Sequence, residues 1–194
     1  TTLFRSENPW MVRVRAVDLL FQNGQTSTVA DLNVKAKNQV IPEFDVSYFF
    51  TKNIAAELVL TWPQQVNITA GPGNTNVGKI SALPPSLLAQ YHFTDLGAFK
   101  PYVGAGVNYT IFGNRNNFSF SGVSNALTVG QSSFGFVGQI GADYMIDKNS
   151  GVNVDLKYAT MSTTVTGQNA VAGQDLGKLT LNPLMPAVGV TYKF

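Results

Sequence analysis

Cysteine is absent from the 194 residues. That excludes a disulfide framework, a thiolate metal site and a cysteine nucleophile. Charge is scarce: 13 basic and 11 acidic residues make up 12% of the chain, about half of the roughly 25% found in soluble domains. The formal net charge of +2 is too small to argue for a polyanion, so no nucleic-acid partner is expected. Histidine occurs once, at His92; with no second histidine and no cysteine, no metal site is expected, and no motif calls for another cofactor. Also missing is any run of about 18 apolar residues, which excludes a transmembrane helix. A soluble surface this poor in charge would be sticky. Low charge and short apolar runs are reconciled if apolar residues fill every second position of many strands, the pattern of a transmembrane β-barrel.

The length suits one domain, residues 1–194. The chain opens on Thr1-Thr2-Leu3, which reads as a mature chain whose signal peptide is gone. Eight strands are predicted, at 10–21, 40–50, 54–62, 83–93, 102–112, 132–146, 152–166 and 180–194. Each approaches or exceeds the roughly 9–11 residues that cross a membrane at a tilt. The connections alternate: 22–39, 63–80, 113–131 and 167–179 are long, whereas 51–53, 94–100 and 147–151 are short. Short periplasmic turns and long outer loops have this rhythm. The expected fold is all-β: an eight-stranded antiparallel up-and-down transmembrane β-barrel, integral to a bacterial outer membrane and solvated by its lipid (or by detergent once extracted).

Aromatic residues test this independently, because they collect where an apolar band meets water. Trp10, Tyr48, Phe50, Tyr91, Phe93, Tyr102, Tyr144, Tyr192 and Phe194 fall at the turn ends of the predicted strands and are assigned to a girdle. Phe21, Trp62, Phe112, Phe134 and Phe136 fall at the loop ends.

The opposite strand face carries Arg13, Arg15, Glu43, Asp45, Glu57, Gln90, His92, Gln139, Asp143, Asp155, Lys157 and Lys193. An eight-stranded barrel has room inside for side chains and little else. These residues, His92 and Lys193 set aside, are assigned to a polar plug of paired charges; the competing reading is a continuous polar channel. His92 near a turn end reads as a satisfied interior residue. No nucleophile and base are paired, so the chain is not expected to be an enzyme. Gly104 and Gly106 form a GxG in which Tyr109 replaces the third glycine; this is strand chemistry and not a nucleotide loop.

Pro42, Pro63, Pro84 and Pro85 interrupt strands or strand ends. Proline removes a ladder donor. Either these prolines only end strands, or interrupted neighbours leave a gap in the wall through which an apolar solute leaves sideways. Pro63, Pro84 and Pro85 are assigned to that lateral gate.

The run from Leu83 through Phe93, followed by Phe99-Lys100-Pro101-Tyr102-Val103-Gly104-Ala105-Gly106, resembles the OmpW family of outer-membrane proteins. Gly138–Ile146, Ile54–Leu58 leading to Pro63, and the terminal Leu181-Asn182-Pro183 and Gly189–Phe194 segments are similar as well. The resemblance implies a monomeric eight-stranded barrel with a narrow hydrophobic passage opening outward, uptake of small hydrophobic molecules, and a lateral route beside the proline matched by Pro63. Val59, Trp62, Leu83, Leu87, Leu88, Met161 and Met185 are the expected apolar passage residues. The chain departs from the family pattern at Leu184 and across Lys157–Ser162, where the family has aromatic and acidic residues, so solute specificity does not carry over. The leading expectation is a channel for small hydrophobic solutes with lateral release near Pro63. The alternative is a non-transport barrel whose outer loops bind a partner.

Overall fold

The computed structural model describes residues 8–26, 33–114, 118–120, 123–167 and 175–194. In chain order the strands are β1 (Trp10–Leu19), β2 (Gly24–Gln25), β3 (Lys35–Ala36), β4 (Gln39–Phe49), β5 (Ile54–Thr61), β6 (Gln64–Ala70), β7 (Thr75–Leu83) and β8 (Ser86–His92). They continue with β9 (Phe99–Gly113), β10 (Phe118–Phe120), β11 (Val123–Val129), β12 (Ser132–Met145), β13 (Ser150–Ala159), β14 (Ser162–Gly167), β15 (Asp175–Thr180) and β16 (Leu184–Lys193).

Eight of these close a barrel. The ring runs β1, β4, β5, β8, β9, β12, β13, β16 and back to β1, every pair antiparallel. Closure leaves no sheet edge to be satisfied by lipid, which a membrane-spanning sheet requires. The predicted short turns are present between Phe49 and Ile54, His92 and Phe99, and Met145 and Ser150.

Along the ring the side chains alternate, and the alternation is inverted relative to a soluble barrel. Phe44, Leu58, Leu87, Val107, Ile140, Val154 and Val188 are exposed, while Arg13, Glu57, Asp143 and Lys157 are buried. The outer surface suits hydrocarbon and the lumen holds the charge. At the turn end the outward aromatics stack edge to face: Trp10 on Tyr48 at 4.9 Å, Tyr91 on Phe93 at 5.1 Å and Tyr192 on Phe194 at 4.9 Å. Tyr102 is a correction. It was expected in this girdle but is 1% exposed, because it is in phase with the inward Asn108 and Thr110 of β9. Phe21 and Phe112, expected at the outer rim, also turn inward and line a cavity.

At the loop end the pattern inverts again. Much of what the sequence presents as long connections is strand: β6 and β7 form a hairpin within 64–83, and β14 and β15 another within 162–180. Here Val66, Ile68, Val77 and Ile80 point inward and are buried, whereas Gln65, Asn76 and Lys79 are exposed. A polar outer face means these staves project beyond the apolar belt.

One part of the wall is not continuous. Pairing of β4 with β5 stops at Glu43↔Thr61 and resumes in the same register with the Lys37 N to Asn67 O bond at 2.9 Å and Ala36↔Ile68 between β3 and β6. Pairing of β5 with β8 stops at Val59↔Ser86 and resumes at Gln64↔Ala82, one position out of register. Trp62-Pro63 therefore lacks a ladder on both flanks. The cause is readable. Phe50 N donates to Ile54 O, so alternate pairs are hydrogen-bonded; continuing at every second residue reaches Pro42 opposite Trp62. His92 N donates to Asn53 O, and the same count reaches Pro84 opposite Thr61. Each ladder ends where a proline has no N–H to give. The stranded Trp62 carbonyl accepts a bond from Gln64 Nε2 at 2.7 Å.

Candidate functional site

The lumen has a charged floor. Arg13 donates to Glu57 Oε1 at 2.7 Å and grips Asp143 with two bonds, at 3.1 and 2.7 Å. Its guanidinium also lies 4.7 Å from the centre of the Tyr102 ring. Arg15 bonds Glu43 at 3.2 Å, Asn153 at 2.8 Å and the Tyr102 hydroxyl at 3.1 Å. Its pairing with Asp45, at 2.9 Å, is an ion pair without hydrogen-bond alignment. Lys157 joins Glu43 at 2.6 Å to Asp155 at 2.9 Å. All ten residues assigned to the plug are buried. Tyr102, Asn153, Thr191 and Ser47 belong to the same network. Strand phase was the signal that could have added them, since each shares the inward face of its strand with an assigned plug residue or a lumen glycine.

The amides fix orientations. Gln139 Nε2 donates to Glu57 and Asp155, each at 2.9 Å. Its oxygen must then accept from Gln90 Nε2, at 2.8 Å, and the Gln90 oxygen accepts from His92 Nε2 at 3.0 Å. His92 stacks on Tyr102 at 5.0 Å, a structural setting for the single histidine. The glycines of β9 open space for this packing. A Cβ on Gly106 would come within 2.0 Å of the Leu87 carbonyl oxygen, and one on Gly104 within 2.8 Å of Gln139 Oε1.

Above the floor lies an apolar cavity. Its volume is about 1070 Å³ including the open mouth. Val34, Val66, Ile68, Val77, Ile80, Phe112, Phe118, Val129, Leu179 and Leu181 line it, with Glu43 and Lys157 below. A second cavity opens at the turn end between Met11, Phe49, His92, Lys100 and Lys193. The two share no lining residue; the plug stands between them.

Of the expected passage residues, Val59, Met161 and Met185 line the upper cavity. Leu88 is buried against Val59, Val137 and Ala159 beside it. Leu83 is half-buried and outside the lining. Trp62 and Leu87 are corrections: they face outward, 79% and 55% exposed, Leu87 because it is in phase with the outward Tyr91. Part of the apolar lining, including Val34, Val66, Ile68, Val77 and Ile80, lies in segments the sequence presents as loops; the alternation of Val66 and Ile68 with Gln65 and Asn67 is the available signal. Among the prolines, Pro84 lines the cavity. Pro63 is exposed in the unpaired stretch, and Pro85 is half-buried with its carbonyl bonded by Tyr109 N at 3.1 Å. Ile41, Thr61 and Gln64 line the cavity and border the same break, so the cavity and the discontinuous wall adjoin.

Comparison with known proteins agrees with this architecture. Residues 10–194 match the model of the OmpW family. An uncharacterized outer-membrane protein, y4mB of Sinorhizobium fredii, is 40% identical over 191 residues, spanning 96% of this chain and 80% of that protein. Outer membrane protein W of Vibrio cholerae is 30% identical over 175 residues, 87% of this chain and 79% of that one. The crystal structure of OprG from Pseudomonas aeruginosa superposes with a TM-score of 0.75 over 95% of both chains at 24% identity, a likeness of fold. The chain belongs to the OmpW family and is an integral β-barrel of the outer membrane.

Proposed function

We propose that this barrel passes small hydrophobic molecules from outside into the outer membrane, without an energy source. The observation that carries the reading is the apolar cavity that has buried charges at its floor and adjoins a break in the wall. A solute enters by the loop end and exchanges water for Val, Ile, Leu and Met side chains, at roughly 25 cal/mol for each Å² of apolar surface removed from water. It cannot go on downward, because crossing the plug would separate buried ion pairs. The unpaired stretch at Trp62-Pro63, flanked by Pro42, Pro84 and Pro85, is the sideways exit.

Returning backbone donors to both flanks tests the exit. In Gram-negative cells producing the Pro42→Val/Pro84→Val variant, accumulation of an apolar fluorophore is expected to fall at least severalfold below cells producing wild type at equal surface amounts. Unchanged accumulation, with the new amides protected from exchange, would rule the exit out.

A further inference from the structure

The upper cavity is not apolar at its base. Thr61, Ser86 and Asn108 line it there together with the Glu43–Lys157 pair. Register pairs four of them, Glu43 opposite Thr61 and Ser86 opposite Asn108, and Lys157 reaches the same cavity through its bond to Glu43. This collar has unused hydrogen-bonding capacity. Asn108 is 2% exposed, and its side-chain oxygen is buried without a partner. The Thr61 hydroxyl is also buried and unpartnered. Lys157 Nζ donates to Glu43 and Asp155, and an ammonium carries a third N–H.

Buried polar groups are normally satisfied, and leaving them without partners is unfavourable. A hydrocarbon resting on the collar would leave them so. A hydroxyl would not, because it donates and accepts at once. It can donate to the Asn108 oxygen while accepting from Lys157 or Thr61; with the Asn108 amide turned over, it accepts from Asn108 and donates to the Thr61 hydroxyl oxygen, since the ammonium cannot accept. An anionic head is disfavoured. The adjoining plug sets five carboxylates, of Glu43, Asp45, Glu57, Asp143 and Asp155, against three cations, of Arg13, Arg15 and Lys157.

We infer that the cavity is built for aliphatic molecules carrying one terminal hydroxyl, held head-down with the hydroxyl in the Thr61–Asn108–Lys157 collar and the chain along the apolar wall. This names the cargo class of the passage proposed above and rests on that reading.

The test uses the whole protein in lipid nanodiscs, with labelled methionine methyls. Met161 and Met185 line the cavity and report occupancy. 1-Decanol, n-decane and decanoate are titrated at matched bilayer mole fractions. Wild type is expected to bind decanol about tenfold more tightly than decane, the worth of one net hydrogen bond, and decanoate more weakly than decanol. Asn108→Leu, and separately the near-isosteric Thr61→Val, are expected to bring the decanol-to-decane ratio toward one. Equal affinities in wild type, or a ratio kept by both variants, would overturn the inference while leaving an apolar passage standing. If no ligand moves the Met161 and Met185 signals, the apolar-passage reading falls and this inference with it.

Discussion

Arg13→Ala is the sharpest probe of the plug. Arg13 has three bonds to two carboxylates, at 2.7 Å to Glu57 and at 3.1 and 2.7 Å to Asp143, and covers one face of Tyr102. Without it Asp143 Oδ2 has no remaining partner among the described residues, while Oδ1 keeps Asn153 and Thr191. Glu57 Oε1 keeps only a contact with Arg15 at 3.4 Å. Removing one member of a buried ion pair costs about 3–5 kcal/mol, mostly because the surviving charge is stranded. The variant is therefore expected to lose about that much stability in urea titrations followed by tryptophan fluorescence in lipid vesicles. Arg13→Lys replaces the charge but not the two-pronged grip on Asp143, and is expected to recover only part. Arg13→Met with Asp143→Asn removes both ends and is expected to lose less than Arg13→Ala alone. An Arg13→Ala variant within about 1 kcal/mol of wild type would refute the view that the plug consists of mutually dependent buried charges.

Gly106→Ala places a methyl 2.0 Å from the Leu87 carbonyl oxygen and 2.7 Å from Leu88 Cα, both backbone atoms that cannot step aside. The barrel is expected to be destabilised by at least about 1–3 kcal/mol, seen as unfolding at lower temperature on unheated gels; normal behaviour would contradict the packing described for β9. In the turn after β12, backbone amides of Asn149 and Ser150 donate to Asp147 at 2.8 and 2.7 Å and hold its carboxyl below the usual carboxylate range. A depressed folded-state value means the contribution is present above the usual carboxylate range and lost as pH falls from there through the depressed value. The difference in stability between wild type and Asp147→Ala is thus expected to shrink on acidification; a difference that grows would contradict it.

Much of this molecule is legible in its sequence because a membrane reverses the usual burial rule on both faces. Phe44, Val46, Tyr48 and Phe50 against Glu43, Asp45 and Ser47 specify a strand with lipid on one side and paired charge on the other. The plug follows from the same phase, since inward charges in a narrow barrel can only meet each other. The upper cavity was hidden because above the apolar belt the phase reverses: Val66 and Ile68 point inward while Gln65 faces water. An alternation that changes sense within one stave looks like loop when only membrane-type strands are sought. Tyr102 lies near a turn end, where the girdle collects, but its phase with Asn108 and Thr110 turns it inward. The prolines are legible as breaks, but which ladder each one ends depends on pairing register, which a single sequence does not state.

The central claim is that cargo leaves through the wall beside Trp62-Pro63, and the absence of native cysteine permits a direct measurement. Pro42 and Trp62 both face outward, and the register that flanks the break sets them opposite each other. Pro42→Cys/Trp62→Cys can be oxidised to staple the opening and reduced to release it, with uptake of one apolar fluorophore followed in the same cells. Lateral release predicts that oxidation, which fixes the β4–β5 flank of the break, lowers uptake severalfold below that of the same variant reduced, and that reductant restores it. Full uptake by the protein verified as cross-linked would contradict the account.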